Sequence, residues 1–82
     1  MQSKLLKRLR AMQRALNNLT LSCIVLNCIM SKMINALYDG GVEGMMVFMS
    51  DFAEALTSTA DNFMQFQNVS IGLTGDLNEL QE

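Results

Sequence analysis

Ten apolar residues in the first half of the chain recur at spacings of four and three without a miss: Leu5, Leu9, Met12, Leu16, Leu19, Cys23, Leu26, Met30, Met33 and Leu37. Such spacing lines one face of an α-helix and, when sustained, is the heptad pattern of helices that wind around a partner. Ser3 suits the N-cap position. The pattern predicts a helix over about residues 3–38, a rod of about 50 Å at 1.5 Å per residue. After a gap the pattern resumes through Met45, Met49, Phe52, Leu56, Thr59, Phe63 and Phe66, and continues on paper through Ser70, Leu73, Leu77 and Leu80. Asp51, Glu54 and Asp61 fall off these lines. A second helix is predicted over about 42–68. Gly72 and Gly75 each weaken a helix by about 1 kcal/mol relative to Ala, so a break is expected over 69–74 and a weakly ordered or short helical tail over 69–82.

Between the arms stands Asp39-Gly40-Gly41. Gly40 is the expected C-cap, because glycine takes the left-handed conformation without steric cost. A connection this short makes the helices antiparallel neighbours. No proline occurs anywhere in the chain, so nothing interrupts long helices. The fold class predicted is all-α: one antiparallel two-helix hairpin with coiled-coil-like heptads, spanning 1–82, within a four-helix bundle or larger helical assembly.

The association seam predicted from the register is Leu9, Met12, Leu16, Leu19, Cys23, Leu26, Met30, Met33 and Leu37 in the first arm. In the second arm it is Met45, Met49, Phe52, Leu56, Phe63 and Phe66. A hairpin consumes one apolar stripe per helix, and this chain has more. Leu21, Ile24, Val25, Cys28 and Ile29 lie off the seam, as does Phe48, and these six form a predicted second interaction face. Between Leu19 and Met30 the helix is apolar nearly all round, as in helices covered on every side. Each such side chain left in water forgoes about 1.5–3 kcal/mol of burial. The eight methionines suit an adaptable contact surface.

Charge sharpens the picture. All six basic residues lie within the first 32 positions and all eight acidic ones from Asp39 onward. Folding about residues 40–41 brings position i near 81 − i, so the tail acids Asp76, Glu79 and Glu82 fall beside Lys4 and Lys7. Those acids offset cations that oppose the dipole of the first helix. Arg10 and Arg14 find no acid across from them. Basic residues beside Leu5, Leu6, Leu9 and Met12 also describe a membrane-surface helix or a nucleic-acid-binding face, which makes Lys7, Arg8, Arg10 and Arg14 the candidate contacts for an anion or a lipid surface. No aromatic residue accompanies them, which disfavours stacking of single-stranded nucleic acid.

Cys23 and Cys28 are five apart, about 140° around a helix, and cannot bridge each other. They are expected as small buried apolar residues of a reducing intracellular compartment. Residues 1–14 are basic, acid-free and amphipathic, as in a mitochondrial presequence or the charged front of a signal peptide. The uncharged run Ala15–Ser31 is at the short limit for a membrane span.

The chain contains no His, hence no imidazole base and no mixed Cys/His zinc site. Its glycines carry no Lys-Ser/Thr after them and make no phosphate loop. No enzyme, no metal, no cofactor and no small-molecule substrate are expected. The sequence predicts a structural or scaffolding subunit whose partners are itself or other helical subunits. Other readings of the same pattern are a peripheral or small integral membrane subunit, an RNA- or DNA-binding hairpin dimer, and a helical chaperone or secretion-apparatus component.

Overall fold

Helix-forming side chains and the absence of proline leave only the glycine clusters to shape the chain. A computed structural model describes residues 2–81. It contains α1, Gln2–Met46, and α2, Met49–Gln81. The two pack against each other as an antiparallel all-α hairpin, with no strand among the described residues.

The hydrogen-bonded helix of α1 is broken at Gly41, whose φ of 71° and ψ of −165° are not helical. This is the only left-handed φ among the described residues. The expectation that Gly40 takes that role is thus corrected by one residue: Gly40 stays helical and Gly41 turns the chain. Three residues on, a Cβ placed on Gly44 would lie 3.3 Å from the Ala36 carbonyl oxygen. In a straight helix, positions eight apart are separated by about 12 Å, so the second arm already lies on the first at Gly44. A shorter step follows at Val47-Phe48, where Phe48 N–H donates to Met45 O at 3.0 Å before Phe52 N–H resumes the helical pattern with Phe48 O at 2.9 Å.

The break expected over 69–74 is absent, since α2 continues helically to Gln81. The reason for one glycine is tertiary. A Cβ on Gly72 would meet the Arg8 guanidinium at 2.7 Å, so glycine leaves room for that side chain to cross the interface. The third tail acid, Glu82, lies outside the described residues.

The product is a rod of 60 × 16 × 13 Å with a radius of gyration of 18.3 Å, against about 12 Å for a compact domain of this length. No described side chain is fully buried, and the two buried residues are Ala15 and Ala55, at 4% and 8% exposure. A single helix–helix contact cannot enclose more.

Candidate functional site

The informative feature of the hairpin is which lines of side chains the arms spend on each other. The positions turned toward the opposite arm in α1 are Leu5, Arg8, Met12, Ala15, Leu19, Ser22, Leu26, Ile29, Met33 and Ala36. In the second arm, after the break at Gly41, they include Met45, Phe48, Phe52, Ala55, Thr59, Asn62, Phe66, Val69, Leu73 and Asp76. Seven of the fifteen predicted seam residues are among them: Met12, Leu19, Leu26, Met33, Met45, Phe52 and Phe66.

The other eight are not. Leu9, Leu16, Cys23, Met30 and Leu37 are exposed, as are Met49, Leu56 and Phe63. Their places are taken by residues one position earlier: Arg8, Ala15, Ser22, Ile29 and Ala36 in the first arm, and Phe48, Ala55 and Asn62 in the second. The physical reason is close approach. Alanine and serine let two backbones come together, which widens dispersion contact along the rod. The polar members also find partners. Asn62 Nδ2 donates to Ser22 Oγ across the interface and reaches the Asn18 carbonyl oxygen at 3.4 Å. Ser70 Oγ lies 3.6 Å from Met12 Sδ. These contacts pair positions whose numbers sum to 80–84, close to the 81 expected from the turn.

The predicted second face divides as well. Ile29 and Phe48 are turned inward, whereas Leu21, Ile24, Val25 and Cys28 are exposed. Both cysteines are therefore exposed rather than buried, because the all-round apolar stretch has one neighbour only.

At the open end the charge divide becomes a contact. Asp76 accepts a hydrogen bond from Arg8 Nε at 2.8 Å, and Lys4 Nζ lies 3.6 Å from its other oxygen. Arg8 is thereby ion-paired across the interface, while its side chain stays partly exposed. Lys7, Arg10 and Arg14 make no ion pair among the described residues and border an open groove with Lys4, Arg8 and Ala11. The Arg8 hydrogen bond holds the Asp76 carboxyl below its ordinary value of 3.8, against a smaller opposing effect of desolvation. A depressed carboxylate stabilises the fold above its unfolded value, and the contribution fades as pH falls through the folded one. Asp76→Asn is therefore expected to flatten the acid limb of stability. Thermal melts followed by circular dichroism at about pH 5 and about pH 2.5 should show a smaller drop in Tm for the variant than for the parent chain. An equal drop would mean that the pair does not stabilise the hairpin.

The displaced residues share one side of the rod. A groove of about 200 Å³ is lined by Met30, Met33, Ile34 and Leu37 from the first arm and by Met45 and Phe52 from the second. A second groove of about 290 Å³ on the other side is lined by Val25 and Ile29 with Asp51, Glu54, Ala55 and Ser58. Residues seven apart lie along the same line of a helix. On the side of the first groove run Leu9, Leu16, Cys23, Met30 and Leu37 beside Met49, Leu56, Phe63, Ser70 and Leu77. On the other run Lys4, Ala11, Asn18, Val25 and Lys32 beside Gly44, Asp51, Ser58, Gln65, Gly72 and Glu79. The large side chains of the first set are 39–49% exposed, between Met49 and Leu9. Leu21 and Ile24, farther round the rod, are 61% and 60% exposed. The first set thus flanks the internal contact and is only partly covered by it.

No known protein family, no curated protein and no solved structure matches the chain.

Proposed function

We propose that this chain is a non-enzymatic structural subunit that acts by helix–helix association, as a hairpin element of a coiled-coil-like helical assembly. The observation that supports it is the partly covered apolar side running from Leu9 to Leu37 and from Met49 to Leu77. Contiguous apolar surface of that length on a small protein is the mark of an interaction site. The hydroxyls of the apolar region fit the same reading. Thr20 and Ser22 donate to the Leu16 and Asn18 carbonyls at 2.8 and 3.1 Å, and Thr57 and Thr59 donate to Ala53 and Ala55 at 3.0 and 2.8 Å. With their hydroxyls satisfied by their own helices, these residues can be covered without leaving an orphan donor.

A membrane reading has one observation in its favour. The helix Ser3–Met46 contains a window of mean hydropathy 1.5, long and apolar enough to cross a bilayer. Sedimentation of the purified chain in detergent-free buffer at low and high salt separates the readings. Association through apolar faces gives a stable mass above the 9.1 kDa monomer at both salts. A monomer at both would overturn the proposal, and insolubility without detergent would favour the membrane reading. A nucleic-acid reading through Lys7, Arg10 and Arg14 would instead require RNA or DNA affinity that falls steeply with salt.

A further inference from the structure

The apolar side of the rod carries no charge at all. Its two lines are bordered by Leu6, Gln13, Thr20, Asn27 and Ile34 on α1 and by Ala53, Ala60, Gln67 and Thr74 on α2. Every acidic and basic residue of the sequence falls on other lines. We propose that this side is the contact surface for a second copy of the chain, packed antiparallel to make a four-helix bundle; the inference rests on the association reading above.

Area and charge select a second copy. The hairpin exposes 6240 Å², whereas a compact monomer of 9.1 kDa exposes about 4,900 Å². The excess of roughly 1,300 Å² is more than the ~800 Å² that each partner of a standard interface covers. A charge-free side covers well only against another charge-free side, since a facing charge would be desolvated without a partner. A second hairpin supplies such a side along the same 60 Å length. A lipid surface fits less well. Helices that lie on membranes place Lys and Arg beside the apolar face, whereas here the bordering positions are uncharged.

Charge also selects the orientation. Among the described residues the open end carries Lys4, Lys7, Arg8, Arg10 and Arg14 against Asp76 and Glu79, five positive and two negative, net +3. The turn end carries Lys32 against Asp39, Glu43, Asp51 and Glu54, one positive and four negative, net −3. Antiparallel packing sets each positive end beside a negative one, and parallel packing sets like beside like. Charges of this kind choose orientation more than they add affinity.

The two orientations differ in a way that a thiol can read. A two-fold axis crossing the rod sets α1 against α1 of the other copy, whereas an axis along the rod sets α1 against α2. Cys23 lies on the apolar side near the middle of the first arm, which runs from Gln2 to the break at Gly41. The two Cys23 thiols meet only in the antiparallel bundle, while Cys28 points elsewhere on both copies.

Two measurements test the proposal. Sedimentation is expected to give about 18 kDa, twice the chain mass, and Leu16→Glu with Leu56→Glu is expected to return the chain to monomer with its helical circular dichroism kept. Charging four buried leucines per dimer should weaken association by roughly 10³-fold or more. Ser58→Glu and Gln65→Glu, on the other side, should leave the mass unchanged. Copper–phenanthroline oxidation of Cys28→Ser should trap a disulfide dimer through Cys23, whereas Cys23→Ser should stay unlinked. The oxidation leaves the apolar leucines intact, so it decides the matter even if the double variant unfolds. Linkage through Cys28 alone, or an assembly indifferent to the leucine changes, would overturn this inference while leaving association standing. A chain that is monomeric throughout would overturn both.

Discussion

Ala15→Leu and Ala55→Leu are each expected to destabilise the hairpin by about 1–3 kcal/mol, the usual cost of forcing extra methylenes into a packed contact. These alanines are the two buried residues of the described chain, at 4% and 8% exposure. They stand where the sequence suggests a larger neighbour, Leu16 or Leu56, should stand. A leucine at either place must push the helices apart or rotate them. Separation would loosen the pairing of Asn62 with Ser22 and of Arg8 with Asp76 on the same line. Urea denaturation followed by circular dichroism, at one fixed protein concentration because association contributes to apparent stability, reads the loss as a lower midpoint. In a protein whose stability is the usual 5–15 kcal/mol or less, about 2 kcal/mol is a large fraction. An unchanged or raised midpoint for both variants would mean that close approach at alanine does not hold the arms together.

The same alanines explain what the sequence hides. The hairpin, its antiparallel sense and the pairing of Asp76 with the basic start follow from apolar spacing, a glycine turn and the charge divide, all local or one-dimensional signals. The choice of seam is not of that kind. The first arm carries three adjacent lines compatible with a helix contact: Leu5 to Met33, Leu9 to Leu37, and Arg8 to Ala36. Hydropathy favours the first two. The packed hairpin uses the first and third, because small residues gain from backbone proximity that only a neighbouring helix can supply. Arg8 looks like a free cation until Asp76 is brought beside it, with Gly72 leaving space for its guanidinium. Gly72 itself reads as a helix breaker for the same reason, since its use is visible only from across the interface. The line left outside is then surplus to the hairpin, which is why the apolar side persists as a surface.

Gly41→Ala is expected to have the other large effect, and to change the shape of the molecule. At φ 71° and ψ −165°, Gly41 occupies a backbone region open essentially to glycine alone, which costs any other residue about 1–3 kcal/mol. Gly40 has no such φ, and open space surrounds a Cβ placed there, so Gly40→Ala should be neutral or stabilising by up to about 1 kcal/mol through helix propensity. The strain at Gly41→Ala has a route of relief. If residue 41 becomes helical and the small step at Val47-Phe48 closes, α1 and α2 join into one helix of about 120 Å. Two such helices can exchange second arms and regain every interarm contact, including Arg8 with Asp76 and Asn62 with Ser22, between chains instead of within one. Exchange of this kind is a low-cost route to a dimer when a hinge is altered. Small-angle scattering distinguishes it from the bundle proposed above, although the mass is the same. The bundle keeps the 60 Å length of the rod and grows in thickness, whereas the exchanged dimer approaches about 120 Å. Gly41→Ala with the parent length and undiminished stability, beside a similar Gly40→Ala, would show that the turn does not depend on the conformation of Gly41. A long Gly41→Ala dimer beside a short Gly40→Ala one would locate the hairpin's reversal at that single residue.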